Sequence, residues 1–232
     1  MQGLDVQTKR MSVEQTRAYF SKRASFYQPV VVKMMGYGYI IRALLVDLDV
    51  LTSNMKVLDA GAGTGLMTRI LYPMARNKGL SDVIFHAIDL TPAMLDVLRS
   101  WIRAEGAEGV ISTRIQDVLQ LETMPEGWDG YDLIVSSGML EYIPPESLHK
   151  VIAGLIDRLK PGGKLICCFS GRTILMRILV GWMWRCNLYT RSELDVIIAK
   201  AGAKDVRHLS FPRPYHTTDP HMPAVEITRP AV

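Results

Sequence analysis

The chain has 232 residues, of which 48% are hydrophobic and 22% charged, a balance that suits one folded α/β domain with a small addition and argues against disorder. Its formal net charge is +4, and the basic residues form no long run, so a nucleic-acid-binding protein is not expected. No run reaches the roughly 18 uncharged apolar residues of a spanning helix, and the N-terminus lacks the form of a signal peptide.

The first 52 residues are predicted to be helical. The apolar pattern indicates one helix over Val13–Tyr27 and a second from Pro29 to about Leu51. The break between them falls at Gln28, because a proline disfavours the helical conformation in the residue before it. Ser12 is the predicted N-cap of the first helix.

A glycine-rich turn follows, between a predicted strand ending at Val57–Asp59 and a helix beginning at Leu66. Gly61, Gly63 and Gly65 allow the backbone to turn tightly and approach a ligand, and the helix would direct its N-terminal amides toward that ligand. A nicotinamide or flavin fingerprint, G-x-G-x-x-G, requires glycine at position 66. The pattern here is D-x-G-x-G-x-G, which favours another kind of nucleotide cradle.

Two further predicted strands are followed by acids. Val83–Asp89 indicates a buried strand whose terminal carboxylate can accept both hydroxyls of a ribose. Leu90 and Met94 are then predicted to flank an adenine ring. The short strand before Asp117 and Val118 supplies a third acid, which is the candidate acceptor for the adenine amino group.

Two more segments complete the pattern. Tyr131–Ser137 indicates a central strand, and Leu159–Leu165 a helix end and a turn that feeds another strand. In order and spacing the five segments resemble the class I S-adenosylmethionine (SAM) methyltransferases over about residues 55–170. The resemblance implies an α/β, Rossmann-like fold: a mostly parallel seven-stranded sheet with an antiparallel last strand, plus N-terminal helices. It also implies SAM as cofactor and S-adenosylhomocysteine (SAH) as product.

The resemblance further assigns a cofactor site. Asp59 is expected to act on the methionine ammonium group of SAM, directly or through water, and the amides of the glycine turn on its carboxylate. The predicted cofactor-binding residues are Tyr27, Asp59, Ala60, Gly61, Gly63, Gly65, Asp89, Leu90, Met94, Asp117, Val118 and Ser136.

The domain organisation also follows from the resemblance. Residues 1–52 are expected to form a helical cap or lid, and residues 53–232 the SAM-binding domain, with a substrate-covering segment at 171–190. Tyr19 or Tyr27 is expected near the methionine end of SAM, where the cap excludes water. The alternative is an amphipathic helix that packs its aromatic residues on the core.

The acceptor side is less specified, because SAM carries its own activated methyl group. The protein mainly positions a nucleophile and excludes water. An Asp/Asn-Pro-Pro-Tyr/Phe clamp is missing after the fourth strand, so methylation of adenine or glutamine is not expected. Glu141 and Tyr142 stand there instead. Tyr142 and His216 are the candidate acid–base residues; the alternatives are a helix-capping or core role for Tyr142 and an exposed loop for His216.

Residues 173–186 are unusually apolar and occupy the place of the family's variable substrate-covering segment. With Tyr19 and Met139, the candidate substrate-binding residues are therefore Met176 and Trp182. Two alternatives remain open: a helix packed on the core or on another subunit, and an interfacial helix whose arginines meet anionic lipid.

Neither a metal nor a disulfide is expected. His216, Asp219 and His221 match no metal-ligand spacing. The three cysteines, an odd number, are expected to be reduced core thiols in a cytoplasmic protein.

The leading hypothesis is a SAM-dependent methyltransferase acting on oxygen, nitrogen or carbon of a small, largely hydrophobic molecule. The alternatives are a lipid or quinone methyltransferase at a membrane surface, and a protein that binds SAM without methyl transfer, as a scaffold or rearrangement catalyst. The expected partners exclude nucleic acid and stable membrane insertion but include peripheral membrane contact. The chain is expected to be a monomer or homodimer.

Overall fold

A computed structural model describes residues 13–24, 36–178 and 186–231. Its strands form one seven-stranded sheet in the order β3-β2-β1-β4-β5-β7-β6. The strands are β1 Lys56–Ala60, β2 Ile84–Asp89, β3 Ile111–Ile115, β4 Tyr131–Ser137, β5 Leu159–Cys168, β6 Asp205–Leu209 and β7 Ala224–Thr228. The helices are α1 Val13–Ser21, α2 Tyr37–Leu48, α3 Leu66–Asn77, α4 Pro92–Ala104, α5 Pro145–Asp157, α6 Ile174–Met176 and α7 Arg191–Lys200. Three 3-10 turns cover Val118–Thr123, Leu140–Tyr142 and Tyr215–Thr218.

The strand directions confirm the predicted fold class. β1 pairs in parallel with both β2 and β4, and β2–β3 and β4–β5 are also parallel. β7 runs antiparallel between β5 and β6. The carboxyl ends of the parallel strands therefore share one edge of the sheet, where ligands bind in such folds.

Two apolar cores lie on opposite faces of the sheet. Val57 and Leu58 are neighbours on β1 but belong to different cores, because successive strand side chains point to opposite faces. Helices α2, α3 and α4 cover the first face, where Leu71 and Leu98 are fully buried. Helices α5 and α7 cover the second. Burial on both faces explains why the central strands are apolar almost throughout.

The N-terminal helices end earlier than predicted, whereas the predicted cap Ser12 and the predicted helix start at Pro29 lie outside the described residues. α1 ends at Ser21, six residues before the predicted end at Tyr27, and residues 25–35 lie outside the described part of the chain. α2 ends at Leu48 rather than near Leu51, because Asp49 takes a left-handed conformation with φ 48° and its N–H donates to the carbonyl of Val46.

The predicted turn within Leu159–Leu165 is instead part of β5. Helix α5 ends at Asp157, and the strand starts directly afterwards. On the side of β7 the glycines are paired, since Gly162 N–H donates to Arg229 O and Arg229 N–H to Gly163 O, both at 2.9 Å. On the side of β4 the register shifts: Tyr131 pairs with Leu159, whereas Leu133 pairs with Lys164, so the β5 residues in between form a bulge.

The predicted apolar helix after β5 is described only at its start. α6 is three residues long, and Thr173 caps it by accepting a hydrogen bond from Met176 N–H at 3.3 Å. Residues 179–185 lie outside the described ranges. Among the helices that are described, none is both long and apolar enough to cross a membrane.

Candidate functional site

A cavity of about 290 Å³ lies at the carboxyl edge of the parallel strands. Its walls come from the turn after β1, the tips of β2, β3 and β4, and helix α1. The predicted cofactor residues that line it are Gly61, Gly63, Asp89, Leu90, Met94, Asp117 and Val118. Two predicted acceptor residues, Met139 and Tyr142, line it as well.

The three glycines of the turn have positive φ values and three different neighbours. A Cβ on Gly61 would lie 2.2 Å from Met139 Cγ, and one on Gly65 would lie 2.3 Å from Leu98 Cδ1. These two positions are therefore glycine because side chains pack directly on the backbone. Gly63 has a φ of 54° and no atom nearer than Asp89 Oδ2, at 4.0 Å from the Cβ position. Its missing side chain leaves cavity space into which a ligand fits.

Asp89 links the glycine turn to the tip of β2. Its Oδ2 accepts a hydrogen bond from Gly63 N–H at 2.8 Å, and its Oδ1 accepts one from Thr91 N–H at 2.7 Å. Burial raises the pKa of this carboxyl, and the two hydrogen bonds oppose that rise. A carboxylate offers about four acceptor positions. The Thr91 side chain donates a third hydrogen bond, so Asp89 retains the capacity to accept at least one ligand hydroxyl from the cavity.

Asp59 is placed differently. It is 3% exposed and is not part of the cavity lining. Its Oδ2 accepts hydrogen bonds from Thr68 N–H at 3.0 Å and from the Thr68 hydroxyl at 2.7 Å. Burial, with a smaller contribution from the charge of Asp89, raises the pKa of Asp59 to about 7. The contact observed thus anchors α3 to the tip of β1, and a role toward an ammonium group stays a prediction.

The other predicted cofactor residues near this turn are buried behind it. The Ser136 hydroxyl donates to Ala60 O at 2.9 Å and ties β4 to β1. Gly65 N–H donates to Ala62 O at 2.7 Å. None of Ala60, Gly65 and Ser136 lines the cavity.

The tip of β3 forms the far wall. Asp117 Oδ1 accepts a hydrogen bond from Leu119 N–H at 2.9 Å and so caps the Val118–Thr123 turn. Gln116 is 6% exposed, and its side-chain Nε2 donates to Gln120 O at 2.7 Å and to Thr123 Oγ1 at 2.9 Å. The chain thus presents a rigid polar edge next to apolar walls.

The opposite end of the cavity is apolar. Phe20 from α1 meets Tyr142 from the turn after β4, with ring centroids 4.9 Å apart and ring planes perpendicular. Met139, Ile143 and Pro144 add to this wall. Among the described residues that line this end, none carries a charge.

Several predicted residues lie elsewhere. Tyr19 is turned to Arg23, whose guanidinium carbon is 3.7 Å from the ring centre, and neither it nor Met176 lines the cavity. His216 is exposed in the Tyr215–Thr218 turn. Tyr27 and Trp182 lie outside the described residues.

The cavity also contains residues that the sequence did not single out. Ala62, Thr64 and Leu66 lie between or just after the glycines, and Thr91 follows Asp89, so adjacency alone was the available signal. Nothing in the sequence separated Phe20 from Tyr19. The others that were missed are Thr16, Gln116, Leu119, Ser137, Gly138, Ile143 and Pro144.

The next feature is the placement of potential metal ligands within residues 13–24, 36–178 and 186–231. Within those ranges, no group of three or more His, Cys, Asp or Glu side chains is arranged to hold a metal ion. The cysteines Cys167, Cys168 and Cys186 are buried free thiols.

Comparison with known proteins points to one family. Residues 57–163 match the family model described as a methyltransferase domain. The chain is 23% identical over 172 residues to a tRNA N(3)-cytidine methyltransferase of Mus musculus, covering 68% of this chain and 43% of that protein. It is 24% identical over 132 residues to carboxy-S-adenosyl-L-methionine synthase of Shewanella loihica, covering 56% and 51%. The chain spans about half the length of the curated relatives it matches.

Solved structures show the same fold at low sequence identity. Magnesium protoporphyrin IX methyltransferase of Synechocystis, with bound SAM, is 16% identical with a TM-score of 0.66, covering 98% of this chain and 100% of that chain. The [4+2]-cyclase SpnF is 14% identical with a TM-score of 0.70, covering 96% and 98%.

Proposed function

We propose that the chain is a class I SAM-dependent methyltransferase, because residues 57–163 match the model of a methyltransferase domain, and that it transfers a methyl group from SAM to an oxygen, nitrogen or carbon atom of a small, largely hydrophobic molecule. One observation carries the acceptor part of the proposal. The two ends of a single cavity differ in chemistry: Asp89 and Asp117 line one end, and the described residues of the other end are uncharged.

The residues of the first end fit the cofactor. Asp89 has acceptor capacity left for a ribose hydroxyl, and Gly63 leaves room beside it. Leu90, Met94 and Val118 offer apolar surfaces for an adenine ring. The N-terminal amides of α3 favour an anionic group such as the cofactor's carboxylate. When bound, SAM supplies the reactive methyl group on a sulfonium sulfur.

The residues of the second end position the acceptor. Methyl transfer is an in-line displacement, so the chain must hold the accepting atom close to the methyl carbon and exclude water. Phe20 and Tyr142 close this end with their rings. The Tyr142 hydroxyl is the group we propose to orient the acceptor or to take its proton. His216 is exposed and does not line the cavity, so its acid–base role stays a prediction.

The test is an acceptor panel with methyl-labelled SAM. The panel contains neutral flat molecules such as phenols and hydroxyquinones, matched cationic and anionic analogues, and a tRNA because one relative is named for that substrate. We expect SAH formation and labelled product with the neutral acceptors only. Labelling of the tRNA, or of charged acceptors alone, contradicts the proposed substrate class.

A second candidate is methyl transfer at a membrane surface. Ile174 and Ile178 are 79% and 64% exposed, and the exposed Arg177 lies between them in sequence. Apolar side chains beside a cation suit an anionic lipid surface. Flotation with vesicles that contain anionic lipid separates this candidate from the first: a chain that stays at the bottom of the gradient is not a surface enzyme.

A third candidate is SAM binding without methyl transfer. The fold is shared with a structure named as a [4+2]-cyclase, so the fold alone does not specify the reaction. Tight binding of SAH, together with no turnover on any acceptor of the panel, favours this candidate over the first.

A further inference from the structure

Glu141 is a buried acid that the proposed methyl transfer does not use. It is 2% exposed. The Ser170 hydroxyl donates to its Oε1 at 3.0 Å, whereas its Oε2 is buried and has no hydrogen-bond partner. In the described part of the chain no cation forms an ion pair with it. Burial raises the pKa of Glu141 to about 7. A proton on Oε2 removes the cost of an unpaired buried charge.

The titratable groups around this carboxyl are neutral at the same pH. They are the thiols of Cys167 and Cys168 on β5, the thiol of Cys186 and the phenol of Tyr189. Burial raises the pKa of Cys168 and of Cys186 to about 12. The Tyr189 hydroxyl, like Glu141 Oε2, is buried without a hydrogen-bond partner. Nothing in this group compensates a negative charge on Glu141.

The main chain of Glu141 is tied to the same surroundings. Its carbonyl accepts hydrogen bonds from Asn187 N–H and from Asn187 Nδ2, both at 2.9 Å. Asn187 Nδ2 also donates to Ile143 O at 3.2 Å, and Tyr189 N–H donates to Ser170 O at 3.0 Å. The Leu140–Tyr142 turn is therefore hydrogen-bonded both to Ser170, shortly after β5, and to Asn187, shortly before α7.

We propose that Glu141 is a positioning residue for the acceptor: with Ser170 and Asn187 it locks the turn that carries Tyr142 and Ile143 into the cavity. We call these interactions of Glu141, Ser170 and Asn187 the carboxyl lock. This inference rests on the proposed function, because Tyr142 and Ile143 line the end assigned to the acceptor. At the cofactor end, the Asp89 carboxylate is hydrogen-bonded to Gly63 and Thr91 and not to a residue of the lock.

The carboxyl lock is expected to weaken as the pH rises, because Glu141 then loses its proton. In the protonated form the buried acid is neutral and the turn stays packed. As the pH rises through about 7, the carboxylate forms with Ser170 as its one side-chain donor among the described residues. The ionised group then favours water entry or displacement of the turn. The acceptor end therefore loosens.

The test is hydrogen exchange of the amides of residues 140–143 and 186–189, corrected for the intrinsic pH dependence of exchange. In the wild-type chain we expect the corrected opening to increase about tenfold from about pH 6 to about pH 8, since a group titrating near 7 loses most of its proton over that range. Glu141→Gln is expected to abolish the increase. Glu108→Gln is the matched control, because Glu108 is exposed and lies outside the lock and the cavity.

Two binding measurements distinguish a failure of the lock from a failure of the proposed acceptor site. Affinity for β-naphthol, a flat neutral probe, is measured with SAH saturating, and SAH affinity is measured by calorimetry. We expect probe affinity to fall with pH in the wild type and to be flat in Glu141→Gln. SAH affinity is expected to have the same pH dependence in both chains, because Asp59 at the cofactor end also titrates near pH 7. If exchange shows the lock but the probe does not bind, the acceptor assignment fails and the positioning role fails with it. If exchange is independent of pH, or identical in Glu141→Gln, the lock itself is overturned.

A second variant covers the case in which Glu141→Gln does not fold. Ser170→Ala removes the hydroxyl that donates to Oε1. A hydrogen bond to the charged form lowers the pKa of an acid, so its loss is expected to move the midpoint of the exchange change to higher pH. A purely structural role for Glu141 predicts no such movement, and an unchanged midpoint overturns the proposal.

Discussion

The two ends of the cavity are held together by different kinds of interaction. At the cofactor end a main-chain N–H of the glycine turn is bonded to a strand-tip carboxylate, Gly63 to Asp89. At the acceptor end the wall is built from packed rings and apolar side chains, with Phe20 against Tyr142. The first arrangement demands particular residue types at fixed spacing. The second is satisfied by any side chains that fill the space, so this end is free to differ between proteins that share the cofactor.

The largest effect is expected from filling the cofactor end. Gly63→Val places a branched side chain in the cavity at a φ of 54°, a strain of about 1–3 kcal/mol that adds to steric exclusion of the ligand. We expect SAH affinity to fall by about a hundredfold or more, measured by calorimetry.

The control for this variant is Gly79→Val. Gly79 has a φ of 65° and nothing within 4 Å of its Cβ position, and it lies outside the cavity. It therefore carries a similar backbone strain without occupying ligand space. If both variants lose the same SAH affinity, the loss is caused by instability and not by filling of the cofactor end, and the assignment of that end is contradicted.

The next effect is expected from the Asp89 carboxylate. Asp89→Asn keeps the side-chain shape but removes the charge and one acceptor. A hydrogen bond to a charged group is worth about 1.5–3 kcal/mol, so SAH affinity is expected to fall roughly 10-fold to 100-fold. Asp96→Asn, on the exposed face of α4, is expected to bind as the wild type does. Unchanged affinity in a folded Asp89→Asn removes the ribose assignment.

A smaller effect, confined to the other end, is expected from Tyr142→Leu. An aromatic pair is worth about 0.5–1.5 kcal/mol beyond its burial, so acceptor KM is expected to rise roughly 2-fold to 10-fold while SAH affinity stays constant. Tyr39→Leu serves as control because Tyr39 is 62% exposed. A loss of SAH affinity in Tyr142→Leu means that the two ends are not independent.

The smallest effect on ligand binding is expected from Asp59. Its pKa is raised from 3.8 to about 7, so the folded state holds a proton that the unfolded state releases. This contribution to stability is complete below about pH 4 and is lost as the pH rises through about 7. Each unit of pKa shift corresponds to about 1.4 kcal/mol.

Asp59→Asn removes that titration. Relative to the wild type, the free energy required to unfold this variant is expected to be larger near pH 8 than near pH 5. Urea denaturation at the two pH values measures the difference, and the shared contribution of Glu141 cancels in the comparison. A wild-type minus variant difference that does not change with pH shows that Asp59 is ionised in the folded state.

The sequence predicted those parts of the site at which only one or two residue types can do what is required. Positive φ at Gly61, Gly63 and Gly65 and an acid at the end of β2 leave readable patterns. The mostly parallel seven-stranded sheet and the antiparallel last strand followed from the same family pattern, and the structure confirms them.

The sequence did not predict which of two neighbours faces the cavity. Phe20 lines it and Tyr19 does not, because the rotation of α1 is set by packing rather than by local pattern. Glu141 and Tyr142 differ in the same way: in one short 3-10 turn, the first points to the core and the second to the cavity. Gln116 was missed because its local hydrogen bonds to Gln120 and Thr123 leave no signature in composition or spacing.

The most direct measurement is a crystal structure of the chain with SAH. The account predicts the ligand in the cavity, with its ribose hydroxyls within hydrogen-bonding distance of Asp89 and its sulfur facing the end lined by Phe20 and Tyr142. Ligand density outside the cavity, or a ribose bound away from Asp89, contradicts it.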